Sequence, residues 1–126
     1  MADLQWEDGN GGGTVEIIEA TGTTTNTTPT TIQTLTLESG LTYVVEFTVI
    51  GREVSGSNNN AGYLITATFD TTGSGAVLTR SDLQAAQESE QGWNAFLNAS
   101  GFDVLVKVIG PAYAVNWKSS ARVRYV

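Results

Sequence analysis

From Leu41 to Glu53 the chain alternates strictly. Leu41, Tyr43, Val45, Phe47 and Val49 share one face, and Thr42, Val44, Glu46, Thr48 and Ile50 share the other. A period of two is the signature of a β-strand, and a helix cannot gather those residues on one side. The first face predicts core. The second is half apolar, which suits a strand partly covered by another subunit or sheet. Similar runs recur at 14–20, 31–38, 63–71, 76–79, 93–97, 102–109, 112–117 and 121–126. Turn chemistry separates them: Ser39-Gly40, the Gly56–Gly62 stretch GSNNNAG, the Thr71–Gly75 stretch TTGSG, the Asn98–Gly101 stretch NASG, Gly110-Pro111 and Lys118–Ser120. Eight or nine short strands about ten residues apart predict an all-β fold. The expected architecture is an antiparallel β-sandwich, jelly-roll-like. Parallel α/β architecture is excluded because no crossover helices are present.

Two stretches read less simply. Thr21–Thr31, TGTTTNTTPTT, is polar throughout and holds Pro29, which cannot donate to a ladder. It predicts an extended, exposed connection that pairs at an edge. Ser81–Gln91 opens with a capping-box pattern, Ser81 with Gln84, followed by helix-favouring Ala85 and Ala86. It lacks a sustained apolar stripe, so one or two helical turns or an irregular loop are expected.

A chain of 126 residues fits one domain. Residues 14–126 are assigned to it. Residues 1–13 predict a flexible N-terminal arm, since Gly9, Gly11, Gly12 and Gly13 oppose any regular element. That arm carries Leu4 and Trp6, which either tuck back onto the domain or dock on a partner. Residues 1–13 lack the basic start and apolar run of a secretory leader. No apolar stretch approaches the ~20 residues of a membrane helix. The net charge of −7 repels phosphate backbones. Lys107, Lys118, Arg122 and Arg124 sit in strand-like sequence and predict solvated strand faces rather than a basic stripe. Neither nucleic acid nor a membrane is an expected partner. Charged residues are only 15% of the chain, a hint of surface committed to permanent contacts.

There is no cysteine and no histidine. Disulfides, thiolate sites, Ser-His-Asp triads and Cys-His pairs are therefore excluded, as are the usual zinc and non-haem iron ligand sets. Glu88 and Glu90 stand two apart and would share a face on a strand. An acid pair of that kind serves glycoside hydrolysis only when one member is desolvated, and the surrounding sequence is polar. Glu7-Asp8-Gly9-Asn10 has calcium-like residue types but fails the EF-hand spacing. The GNGGG run lacks the strand and helix that frame a phosphate loop. The sequons at Asn26 and Asn98 carry little meaning without a secretion signal. Hence no catalytic residue, no metal ligand and no cofactor is assigned, and enzymatic activity is not expected. Most aromatics fall on inward faces by parity. Phe96 lies on the opposite parity from Trp93 and Leu97, and it is assigned to subunit contact or sugar stacking.

A resemblance emerges in the second half of the chain. It rests on Ile50-Gly51-Arg52, an Asn/Gly-rich loop and Ala61-Gly62-Tyr63-Leu64-Ile65. It continues through Phe102–Gly110, Ala112, Val115-Asn116-Trp117 and a last strand at Ala121–Val126. Over roughly residues 35–126 this resembles a jelly-roll domain recurrent in tailed-phage virion proteins: capsid decoration (cement) proteins, tail-fibre knobs and tail-needle knobs. The resemblance implies a homotrimer with a structural role, no cofactor and no turnover. The chain shows no heptad shaft of the kind that precedes a fibre knob. The expectation is therefore a cement protein on the capsid exterior, with Leu4 and Trp6 contacting the major capsid protein. The rival expectation is a receptor-binding knob that takes a host-surface glycan through Phe96 or through the aromatic and Asn residues of the Ser55–Gly62 loop. A non-viral carbohydrate-binding module, or a small glycan-active enzyme, stands behind both.

Overall fold

A computed structural model describes residues 2–3 and 16–126, and every element in it is a strand. They are β1 (Ala2–Asp3), β2 (Glu16–Thr24), β3 (Thr30–Thr36), β4 (Thr42–Glu53), β5 (Asn60–Asp70), β6 (Val77–Glu88), β7 (Asn94–Ser100), β8 (Asp103–Ile109) and β9 (Val115–Tyr125). Five of them form one antiparallel sheet in the order β2-β9-β4-β5-β6. The second sheet has the order β1-β3-β8-β7, with the two-residue β1 added parallel to β3. The arm residues Leu4 and Trp6 and the Glu7–Asn10 stretch lie outside the described residues.

The pairing of β2 with β9 in one sheet and of β3 with β8 in the other is the nesting of a jelly roll. Beyond it, β4, β5 and β6 run as a meander within one sheet instead of crossing between layers. The two sheets press their inner faces together. From the larger come Tyr43, Val45, Phe47, Val49, Phe69, Val115, Trp117 and Val123, and from the smaller come Leu35, Val104, Val106 and Val108. The alternation in Leu41–Glu53 is thus read out as predicted. Its odd positions are core, with Leu41 packed at the margin, while Val44 and Ile50 are exposed on the outer face.

Three expectations are corrected. Ser81–Gln91 forms no helical turn, and only its last three residues are loop: residues 77–88 are strand β6, in register with β5 from Val77↔Asp70 to Glu88↔Ala61. Its ladder overrides the helical propensity of Ala85 and Ala86. The smaller sheet makes only slight contact with β6, and apart from Leu78, packed at the margin of the core, its residues are largely exposed, so no alternation marks residues 81–88. Lys118–Ser120 does not turn. Residues 115–125 run as one strand between β2 and β4, and the inward parity of Val115 and Trp117 continues through Ser119, Ala121 and Val123, all buried. The Thr-rich connection is shorter than predicted, because Thr21–Thr24 pair with β9 and Thr30 already pairs with β8. Asn26 Oδ1 accepts the Thr28 N–H at 2.9 Å and turns the remaining link.

Several polar groups inside the sandwich are matched. Thr71 Oγ1 donates to the Glu38 carbonyl at 2.6 Å and accepts the Leu41 N–H at 3.0 Å, closing the turn before β4. Trp117 Nε1 donates to Thr24 Oγ1 at 2.9 Å. A bulge in β3 between Thr31 and Gln33 turns Ile32 and Gln33 both inward. Gln33 Nε2 reaches the Ile18 carbonyl at 2.9 Å, and its Oε1 accepts Ser119 Oγ at 2.6 Å. One side chain thereby ties β3 of the smaller sheet to β2 and β9 of the larger.

Candidate binding surface

At one end of the sandwich three connections meet: residues 54–59, 89–93 and 110–114. Glu53, buried at the end of β4, accepts the Ser57 N–H at 2.7 Å. Asn59 Nδ2 lies between Glu53 Oε1, at 3.3 Å, and the Tyr113 hydroxyl, at 3.2 Å. Tyr113 donates to Glu90, and Ser89 Oγ donates to Asn59 Oδ1 at 3.3 Å. Beneath them Trp93 packs between the rings of Tyr113 and Trp117, with centroids 6.4 and 5.7 Å away. Its indole Nε1 is buried with no hydrogen-bond partner among the described residues. This network is a clamp that fixes loops.

Glu88 and Glu90 belong to that end but not to one site. Tyr63 donates to Glu88 Oε2 at 2.6 Å, whereas Glu90 holds Tyr113. Both carboxylates are exposed acceptors for different phenols. Among the described residues no group of three or more acidic, His or Cys side chains is placed to hold a metal.

Burial pushes the Tyr63 phenol far above the usual tyrosine range, and the hydrogen bond to Glu88 reinforces the shift. Burial also raises Tyr43. A phenol raised in the folded state stabilises the fold fully below its unfolded value of about 10, and that contribution is lost as pH rises above it. The urea midpoint is therefore expected to hold through neutral pH and to fall steeply beyond about pH 10. Tyr63→Phe should make that fall shallower. A wild-type midpoint unchanged well above that pH would refute the assignment.

Phe96 projects from the outer face of the smaller sheet, where its cross-strand neighbour on β8 is Lys107. It is half-buried, as are Leu105 and Ile109 on the same face of β8. Parity placed it correctly on the outside. Of the three residues assigned to partner contact, it alone lies among the described residues.

The outer face of the larger sheet carries a feature that the sequence did not assign. Ile50, 52% exposed, and Arg52 stand on the central strand β4 between two grooves. One groove, of about 470 Å³, runs toward β2 and is lined by Thr21, Thr23, Asn116 and Lys118. The other, of about 560 Å³, runs toward β6 and is lined by Asn58, Asn60, Gly62 and Gln87. Gly62 leaves the second groove open, since a Cβ there would meet nothing within 4 Å. Lys118 pairs with Glu19 at 3.2 Å, Arg124 with Glu46 at 3.5 Å and Arg80 with Asp82 at 2.9 Å. Arg52 makes no ion pair or hydrogen bond among the described residues, in a chain with 13 acidic and 6 basic side chains. The Asn58–Asn60 run belongs to the loop named for the knob reading. Arg52, Asn116 and Gln87 were missed, because only strand order brings β4, β6 and β9 side by side.

Strand β6 closes this sheet at one edge and is exposed on both faces, with Leu83 on the overhang 55% exposed. Bulges opposite Leu64/Ile65 and Thr68/Phe69 break its ladder. Such bulges and the charges of Arg80, Asp82 and Glu88 blunt a free edge against strand addition.

No family model matches the chain, and no curated protein matches it. Among solved structures it is similar to the tailspike protein of Acinetobacter baumannii phage AM24. The TM-score is 0.56 at 12% identity, over 86% of this chain and 26% of that one. The tailspike protein of the Acinetobacter phage vB_ApiP_P1 aligns with a TM-score of 0.42 at 12% identity, over 89% of this chain and 22% of that one. The chain spans about a quarter of the length of these tailspikes, and what it shares with the first is the β-sandwich fold of one segment.

Proposed function

We propose that this chain is a structural module of a tailed-phage virion, carried on the tail and assembled there as a homotrimer. The observation that carries the reading is the fold likeness to a segment of the AM24 tailspike over 86% of the chain. The resemblance of residues 35–126 to virion jelly-roll domains points the same way. Support for assembly comes from the low share of charged residues and from β6, whose overhanging face leaves Leu83 in water in an isolated domain. Placement on the head shell as a cement protein, bound to the major capsid protein, is the rival within the same class. The tailspike likeness favours the tail.

Two measurements test this. Gold-labelled antibody raised against the domain, applied to particles of the source phage, is expected to mark tails. Label on the head exterior would move the proposal to a decoration protein, and intact particles without label would end both. Light scattering of the purified 13.3 kDa chain is expected to give a trimer. A monomer at every concentration would remove the homotrimer.

A further inference from the structure

We infer that the paired grooves beside Ile50 and Arg52 form a binding site for a carboxylated saccharide, with Arg52 holding the carboxylate. The inference goes beyond the virion assignment and does not rest on it. Arg52 is the starting point. A guanidinium is a planar fork of donors that fits a carboxylate with two parallel hydrogen bonds. The chain has an excess of acids; on this sheet Arg80, Lys118 and Arg124 are paired, while Arg122, away from the grooves, and Arg52 have no partner among the described residues. What sets Arg52 apart is its place between two depressions, without a partner among the described residues.

The groups around it choose the rest of the ligand. Asn58 and Gln87 have side chains with no partner among the described residues. The Asn60 amide donates to the Asn58 carbonyl at 2.9 Å, which leaves its Oδ1 open. Asn116 Oδ1 accepts from Thr23 Oγ1 at 2.9 Å, which leaves its amide protons open. Carboxamides offer donors and acceptors side by side, as vicinal sugar hydroxyls do in return. Ile50 supplies an apolar contact for the C–H face of a ring.

Other ligand classes fit less well. An extended acidic peptide binds best along a sheet edge, where main-chain groups are unpaired. Here β4 is flanked by β5 and β9, so its ladder is already complete. A nucleic acid or polyphosphate needs several cations. These grooves offer one guanidinium without a partner among the described residues and a lysine already shared with Glu19.

The test uses the purified wild-type chain and protein-observed NMR. Glucuronate, galacturonate and N-acetylneuraminate are titrated against the neutral sugars glucose and galactose, with acetate and a short polyglutamate peptide as controls. At least one acidic sugar is expected to shift the amide signals of Ile50, Arg52, Asn60, Gln87 and Asn116. Its neutral parent and acetate should bind about tenfold more weakly or not at all, the step expected when a charge-assisted hydrogen bond is lost. Arg52→Gln should weaken the acidic sugar by at least about tenfold and leave the fold unchanged, because the side chain is exposed. Gln87→Ala should weaken it less. The inference is overturned if none of the three acidic sugars shifts these signals, if neutral sugars bind equally well, or if Arg52→Gln has no effect. Equal binding of polyglutamate at the same residues would also overturn it and reassign the grooves to an acidic protein segment.

Discussion

Trp117→Ala is expected to leave the domain barely folded at room temperature. The indole is buried to 2% exposure on the larger sheet's inner face, toward the end where it packs on Trp93. Truncating a buried tryptophan to alanine costs about 3–5 kcal/mol through lost burial and the cavity left behind. The Thr24 hydroxyl, which accepts the indole N–H, loses its partner as well. Against a total stability of about 5–15 kcal/mol, little margin is left. The neighbourhood is shaped around this ring. A Cβ on Gly51 would lie 2.6–2.9 Å from three Trp117 ring carbons, and one on Gly110 would lie 2.5 Å from the Thr24 hydroxyl. Gly51→Ala is therefore expected to cost about 1–3 kcal/mol, the usual range for overpacking. The decisive comparison repeats Gly51→Ala in a Trp117→Leu background, where the opposing ring carbons are gone. There the alanine should cost close to nothing, a coupling of the size seen between residues in contact. Urea denaturation followed by circular dichroism measures Trp117→Ala and the four proteins of this cycle. An equal cost of the alanine in both backgrounds would show that the ring is not what holds position 51 to glycine.

How far the sequence went can be judged from the strands themselves. Where one face of a strand is buried and the other wet, as in β4, β5 and β8, alternation located the strand and its inward side. Those are the residues that became core, from Tyr43 to Val108. Where both faces are wet the code vanishes: the start of β6 was read as a short strand at 76–79, but from Ser81 on it passed for helix or loop. Where a buried strand uses small polar residues it passes for a turn: Lys118-Ser119-Ser120 lies mid-strand because Ser119 is the size that fits opposite Gln33. The outer-face grooves were invisible for a different reason. Arg52, Asn116 and Gln87 are far apart in the chain and become neighbours only through the order β9-β4-β5-β6, and single-strand periodicity does not encode strand order. The Asn-rich loop beside them could be read, since Asn58, Asn60 and Gly62 are turn residues at a strand start. Its facing partner could not.

The second large effect concerns the polar bridge between the sheets. Gln33, 4% exposed, joins the Ile18 carbonyl and the fully buried Ser119 hydroxyl. A buried group stripped of its partner costs about 1–3 kcal/mol, whereas removing both partners together costs far less. Gln33→Leu strands two groups at once, the Ser119 hydroxyl and the Ile18 carbonyl, so about 2–5 kcal/mol of destabilisation is expected. Ser119→Ala alone strands only Gln33 Oε1 and should cost about 1–3 kcal/mol. Combining the two removes both ends of the 2.6 Å bond and leaves the Ile18 carbonyl as the sole orphan. The double variant should therefore be more stable than Gln33→Leu by itself, even though it carries one more substitution. If its urea midpoint instead fell by the sum of the two single effects, the bridge would be two independent contacts. The bulge at Thr31/Gln33, which turns that side chain inward at the expense of regular pairing with β8, would then have to owe its place to Ile32 alone.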